Sequence, residues 1–409
     1  MVFFLILGCK QTSFPQHPIM EKIFDNTQVA FSSMSNKELE RAFFLFNMIK
    51  NPALVKIGTS LTNVALKLHL PVEGLIRKTV FDHFCGGVTA EDCLPVVGKM
   101  YSKGVSSILD YSVEGKEEES SFDDALKVTL KTLDMAASNK AIPFVVFKPT
   151  GFGRFALYEK KGEGKELTPD EALEWGRIVG RFDQVCKLAH QYDVEVLIDA
   201  EESWMQDAAD DLVAEMMRKY NKEKAIVFNT LQMYRHDRMD YLQRLHANAI
   251  AEGFHIGMKI VRGAYMEKEH KRAEENGYPT PICSSKEATD VNYDRAVDYM
   301  MKHIDTMAIF AGTHNEESSY KLMALMSEKG LAHNDRRLWF GQLFGMSDNI
   351  SFNLGANGYN VAKYLPFGPV REVMPYLIRR AEENTSVAGQ TGRELTLLTA
   401  ERNRRKAAK

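Results

Sequence analysis

Between Val105 and Leu365 the chain alternates two rhythms. Short β-branched or apolar runs each give way to a longer polar segment whose apolar residues return at helical spacing. The runs predict strands at Val105–Tyr111, Phe144–Lys148, Val194–Asp199, Ala225–Gln232, Ile256–Arg262, Met307–Gly312, Leu338–Leu343 and Val361–Leu365. Most are near-continuous in apolar residues, the pattern of parallel strands buried on both faces. Eight of them interleaved with helices predict a (βα)8 TIM-type barrel in preference to an open sheet. Upstream, residues 38–82 are helical in pattern: Leu39, Phe43, Phe46 and Ile49 share one face, and a second amphipathic run covers Ile57 to Phe81. The expected organisation is a disordered or mis-assigned leader (1–19), an N-terminal helical extension (20–100), the barrel (101–395) and a basic tail (396–409). No internal repeat or low-complexity linker interrupts it.

The predicted strands end on residues a pure core strand does not need: Asp110, Lys148, Asp199-Ala200-Glu201-Glu202, Gln232, Arg262-Gly263, Thr313-His314-Asn315, Gln342 and Tyr364. Barrel active sites form at the C-terminal ends of the strands, where such residues converge.

Composition narrows the class. The chain has 409 residues, 44% of them hydrophobic, enough for a large core. A formal net charge of −3 supplies no global field for nucleic acid. The basic cluster Arg402-Asn403-Arg404-Arg405-Lys406 reads as a frayed terminal helix in preference to a lipid or nucleic-acid contact. Five cysteines, at 9, 85, 93, 186 and 283, show neither a CxxC nor zinc spacing, which suits a reducing compartment. No apolar run approaches the roughly 18 residues that span a bilayer. Met1-Val-Phe-Phe-Leu-Ile-Leu-Gly-Cys9 has the outline of a lipoprotein signal, but no Lys or Arg precedes its short apolar stretch. A cytoplasmic location is therefore expected, with a peripheral position at the inner membrane as an extension and acylation at Cys9 as the minor alternative.

Common sites are missing from the sequence: no P-loop, GxSxG, HExxH or EF-hand loop occurs, and Gly151-Phe-Gly153 lacks the third glycine of a dinucleotide fingerprint. His190, His246, His255 and His270 have no metal-ligand spacing, so no metal is expected. What remains is cationic. Lys148, Lys259, Arg262, Arg379 and Arg380 lie at predicted strand ends or on the last predicted helix of the barrel. In Tyr376-Leu-Ile-Arg379-Arg380-Ala-Glu-Glu383-Asn384, residues four apart share a helix face, so Glu383 can brace Arg379 and lie close to Arg380. Paired guanidiniums offer planar forks of donors suited to a small carboxylate. Taken alone, such a motif is more often a solvated helix face.

Lys259-Ile-Val-Arg-Gly-Ala-Tyr265, Ile198-Asp-Ala-Glu-Glu202, Thr313-His-Asn315 and Tyr376–Asn384 occur together and in order, and with them the chain from about Val105 to Asn384 resembles the proline dehydrogenase family. The last motif and its spacing from Tyr364 are specific; the shorter ones are not. The resemblance implies a distorted (βα)8 barrel with non-covalent FAD. It also implies oxidation of L-proline to 1-pyrroline-5-carboxylate, with electrons passed to membrane quinone. A 1-pyrroline-5-carboxylate dehydrogenase is an optional partner, as is peripheral membrane contact.

By the same resemblance, Arg379 and Arg380 correspond to the proline carboxylate clamp, Glu383 to the carboxylate that orients them, and Tyr364 to the residue packed on the proline ring. Lys148 and Asp199 match polar residues of that pocket. Gln232, Lys259, Arg262, Gly263, Ala264, Thr313 and His314 match FAD-binding positions. Bifunctional bacterial members carry Arg-Leu-Val-Lys-Gly-Ala-Tyr; here Lys259 and Arg262 exchange the two cations, as in the mitochondrial branch. That order leaves open which of them lies nearest flavin N5. Hydroxyproline-preferring relatives have a smaller residue at the position of Tyr364, so proline is the expected substrate. The alternatives are a hydroxyproline dehydrogenase, another flavin-barrel reductase such as a methylenetetrahydrofolate-reductase-like enzyme, or a non-catalytic regulator.

Overall fold

The computed structural model describes residues 22–51, 53–56, 58, 60, 73–113, 115, 117–386 and 390–408; side chains at 75, 78 and 381–391 lie outside that description. The expected leader with Cys9 and most of the run Ile57–Phe81 therefore fall outside the described residues, as does the side chain of Glu383.

Strands β1 (Ser106–Tyr111), β2 (Phe144–Phe147), β3 (Glu195–Ile198), β4 (Val227–Gln232), β5 (Ile256–Val261), β6 (Met307–Gly312), β7 (Leu338–Leu343) and β8 (Val361–Phe367) form a closed barrel in chain order. Every pairing is parallel, including the closure of β8 on β1. Side chains alternate across a strand, and the two faces segregate accordingly. Ile108, Phe144, Val146, Leu197, Phe228, Phe310 and Tyr364 fill the lumen. Leu109, Val145, Val196, Ile260, Ile309, Phe340 and Leu365 join the shell of helices outside. The lumen is aromatic: the ring of Phe144 meets Phe228, Phe310 and Trp339 edge-on at 5.8, 5.2 and 5.1 Å. Gly341 makes the room, since a Cβ there would stand 2.1 Å from the Phe310 ring. The lower barrel is thus a packed core, which leaves the C-terminal rim for chemistry.

Among the described residues, the helices of eight residues or more are α1 (Asn36–Ile49), α2 (Leu94–Tyr101), α3 (Glu119–Ser138), α4 (Phe155–Gly162), α5 (Pro169–Tyr192), α6 (Ser203–Tyr220), α7 (Arg238–Glu252), α8 (Met266–Asn276), α9 (Lys286–Lys302), α10 (Glu316–Glu328), α11 (Asp348–Ala356), α12 (Met374–Ser386) and α13 (Gln390–Ala407). Local chemistry sets their ends. Ser35 with Glu38 makes a reciprocal capping box on α1, and Thr168 with Glu171 makes one on α5, where Pro169 occupies the first turn.

The N-terminal helical extension docks on the end of the chain. Leu39, Ala42 and Phe46 of α1 bury against Leu397 and Leu398 of α13. Here the expectation of a frayed basic tail is corrected. Arg402 grips Glu40 through two bonds of 2.7 Å, and Arg404 and Arg405 both reach Glu401, whose side chain is fully buried. Arg405 also donates to the carbonyls of Phe31 and Met34. These arginines fold inward onto carboxylates and helix-end carbonyls, which stabilise them better than open solvent charge alone would. Among the described residues, no helix is long and apolar enough to cross a membrane.

Candidate active site

Lys259 alternates inward on β5, and this places a charge in the lumen. Its ammonium pairs with Asp199, just past the end of β3, and donates to the Tyr364 hydroxyl on β8 at 3.0 Å. Tyr364 in turn reaches Asp199 at 3.4 Å, and the Lys259 ammonium lies 4.8 Å from the Tyr364 ring centre. Three strands thus converge on one hydrogen-bonded triad above the aromatic plug. Burial, with Asp199 and Asp110 nearby, pushes the Tyr364 phenol well above its usual value, so it stays protonated as a donor.

Arg262 follows β5 and turns the other way. Its guanidinium binds Asp290 at 2.6 Å, Thr313 Oγ1 at 2.7 Å and Ser318 Oγ at 3.1 Å, and it lies 4.5 Å from the Tyr293 ring. The exchanged cations therefore occupy different places: Lys259 in the lumen, Arg262 on the rim beside β6. His314, next to Thr313, accepts or donates through Nδ1 to Ser347 Oγ at 2.9 Å. Burial and then the cations Lys363, Arg380 and Arg262 push its imidazole down to about 3, so it is neutral.

Arg380 is buried on α12, its guanidinium 5.1 Å from the Tyr376 ring, and its charge acts on His314. Arg379 precedes it on the helix and is half-buried. Lys148 follows β2, half-buried, and its charge acts on Glu201. Gln232 ends β4 and donates to the carbonyl of Glu201 at 3.0 Å.

Several features suit a large planar cofactor with both donors and anionic groups. The Gln232 Oε1 is buried with no partner among the described residues, an acceptor that an incoming N–H would satisfy. Gly263 sits at φ 136°, with its backbone at the surface and Tyr234 only 2.5 Å from where a Cβ would be. Exposed Ala264 continues that edge. Gln232, Arg262, Gly263, Thr313 and His314 thus run as an arc from β4 to β6, with the cation Arg262 at its middle. Among the described residues no group of three or more His, Cys, Asp or Glu is placed to hold a metal.

Two groups receive no site role from the sequence. Glu201 accepts from Thr150 through both oxygens, at 2.9 and 2.7 Å, and burial pushes it up to about 7. Its place two residues past Asp199 was the available signal. Lys363 is fully buried on the outer face of β8, paired with Asp348; no spacing in the sequence announces a partner so placed.

A family model described as Proline dehydrogenase matches residues 93–393. The chain belongs to the proline dehydrogenase family. Among its relatives is the "Carbapenem antibiotics biosynthesis protein CarD" of Pectobacterium carotovorum subsp. carotovorum, 38% identical over 333 residues, which are 81% of this chain and 86% of that protein. "Proline dehydrogenase 1, mitochondrial" of Homo sapiens is 44% identical over 242 residues, 58% of this chain and 40% of that protein. In fold, the chain is similar to the crystal structure of proline utilization A (PutA) from Bdellovibrio bacteriovorus inactivated by N-propargylglycine, with a TM-score of 0.68 at 20% identity over 91% of this chain and 40% of that one. The chain thus spans well under half the length of the human relative and of the PutA chain.

Proposed function

We propose that the barrel mouth oxidises L-proline to 1-pyrroline-5-carboxylate, with FAD as the resident hydride acceptor and membrane quinone as the final one. The observation that carries this reading is the Lys259–Asp199–Tyr364 triad, with Lys259 and Tyr364 buried, below a rim that also holds Arg262. Such a mouth suits a small zwitterion beneath an anionic cofactor.

In this reading Gln232, Lys259, Arg262, Gly263, Ala264, Thr313 and His314 hold FAD. When bound, FAD supplies a two-electron acceptor for the hydride on the ring carbon beside the proline nitrogen. Arg379 and Arg380 grip the carboxylate, and Glu383 aims them. Tyr364, locked by its bonds to Lys259 and Asp199, presents its ring as a wall for the pyrrolidine. Fixing the substrate in near-attack geometry supplies on the order of 7–11 kcal/mol in favourable cases. The nitrogen must shed a proton before hydride leaves, and the cations of the rim disfavour the ammonium form. Lys148 and Glu201 stand at that edge of the mouth, the charge of Lys148 acting on the buried Glu201 carboxyl. A 1-pyrroline-5-carboxylate dehydrogenase consumes the product.

The test uses the purified protein. It is expected to bind FAD, to be yellow, and to bleach anaerobically on addition of proline alone. A protein that takes up no FAD contradicts the reading. Bleaching by NADH and not by proline points to a different flavin-barrel reductase.

A further inference from the structure

Lys363 sits where a barrel strand has no ordinary use for a charge. Its neighbours Ala362 and Tyr364 face the lumen, so Lys363 faces outward, yet its side chain is fully buried. An ammonium taken out of water is costly unless well paired, and a buried pair is weak evidence of stabilisation. The partners of this one are specific. Nζ meets Asp348 Oδ1 at 2.6 Å, at the start of α11, and donates to the Met346 carbonyl at 2.7 Å. All three of its nearby oxygens, with Leu343 O at 3.4 Å, belong to the segment from the last residue of β7 to the first of α11.

That turn is not relaxed. Gly345 has φ 78°, and a Cβ there would stand 2.4 Å from the His83 carbonyl. Ser347 has φ 52°, a conformation that residues with a Cβ seldom adopt. His83 Nε2 holds the Gly345 carbonyl at 3.1 Å from the N-terminal extension. Buried Glu394 of α13 accepts a hydrogen bond from the Ser347 backbone. The output of the turn is Ser347 Oγ, bonded to His314 Nδ1. A parallel contact runs alongside: Gln342, which pairs in register with Lys363, donates to the Thr313 carbonyl at 3.0 Å.

We propose that Lys363 is a positioning residue. Through Asp348 and the Met346 carbonyl it clamps the strained turn 343–348, so that Ser347 holds His314 in one neutral tautomer aimed at the cofactor. The proposal rests on the reading of His314 as an FAD contact.

Removing Lys363 alone would strand Asp348 in the interior, so the test is the apolar replacement of both, Lys363→Met with Asp348→Leu, beside Ser347→Ala. Two readouts are taken: the FAD dissociation constant, and the ring-nitrogen chemical shifts of His314 in apo protein labelled with 15N-histidine. Wild type is expected to show one neutral tautomer. The double variant, at a melting temperature within a few degrees of wild type, is expected to show a mixture and to bind FAD at least tenfold more weakly. Ser347→Ala is expected to do the same, with no further loss when combined. A folded double variant with a single tautomer and wild-type FAD affinity overturns the proposal. If that variant does not fold, Ser347→Ala decides by the same criteria. Should wild type itself bind no FAD, the functional reading falls, and the nitrogen shifts still decide whether the clamp exists.

Discussion

Tyr364 carries the specificity of the proposed site because two hydrogen bonds leave its ring little freedom to retreat. Its hydroxyl is held by Lys259 and Asp199, and the phenol stays protonated in their company. In the proposed site, a ring so fixed would leave no room for the extra hydroxyl of hydroxyproline. Tyr364→Ser is expected to lower the ratio of kcat/KM for proline over hydroxyproline by about tenfold or more, the range set by one packing contact. Steady-state kinetics with both substrates checks this; an unchanged ratio would remove Tyr364 from the substrate wall. His83 offers a test by pH. Burial pushes its imidazole down to about 4, while the unfolded residue titrates near 6.5. The folded state therefore binds fewer protons in that window, and the contribution is present above 6.5 and lost as pH falls toward 4. Between pH 7 and 5 it amounts to about 2 kcal/mol. His83→Gln is expected to lose less of its urea midpoint over that interval than wild type, and equal losses would contradict the assignment.

The docking of α1 on α13 separates apolar from ionic contributions at the level of elements. Leu398 is fully buried in the seam, so Leu398→Ala is expected to cost about 2–5 kcal/mol. Arg402 makes a two-bonded pair with Glu40 and lies 3.9 Å from the Phe43 ring, but Glu40 is 53% exposed, so Arg402→Ala is expected to cost about 1 kcal/mol. Urea unfolding of the two variants ranks them, and a reversed order would show that charge, not burial, fastens the extension. The elements themselves were largely legible in the sequence. Most strands are apolar runs, and the predicted limits miss by at most two residues at either end. Lys148, Asp199 and Arg262 were read as strand residues but lie just past β2, β3 and β5, where polar side chains leave the ladder. The eighth run is predicted to end at Leu365, yet Pro366 and Phe367 stay in register with Asp110 and Tyr111. The tail was misread because its arginines announce charge and say nothing of Glu40 and Glu401, which lie far away or on the helix's inner face. Lys363 was passed over for the same reason: its partner Asp348 is fixed by the turn after β7, and no periodicity records that.

Across the whole molecule, charge and packing divide the barrel. The lower lumen is filled by aromatic rings, and ionisable groups of the mouth gather above them, at the ends of strands from every quarter of the barrel. The N-terminal extension and α13 lie outside this axis but reach it through His83 and Glu394, which flank the turn that carries Ser347. In the proposed function the mouth takes its substrate by the carboxylate, through Arg379 and Arg380. The direct measurement is anaerobic bleaching of the FAD-loaded protein by proline and by pyrrolidine, the same ring without the carboxylate, in wild type and in Arg380→Met. Wild type is expected to bleach with proline at far lower concentration than with pyrrolidine. Loss of one charge-assisted contact, worth roughly 1.5–3 kcal/mol, is expected to shrink that gap by about tenfold or more in the variant while pyrrolidine is little changed. An Arg380→Met protein that keeps the full wild-type preference for proline would contradict the account.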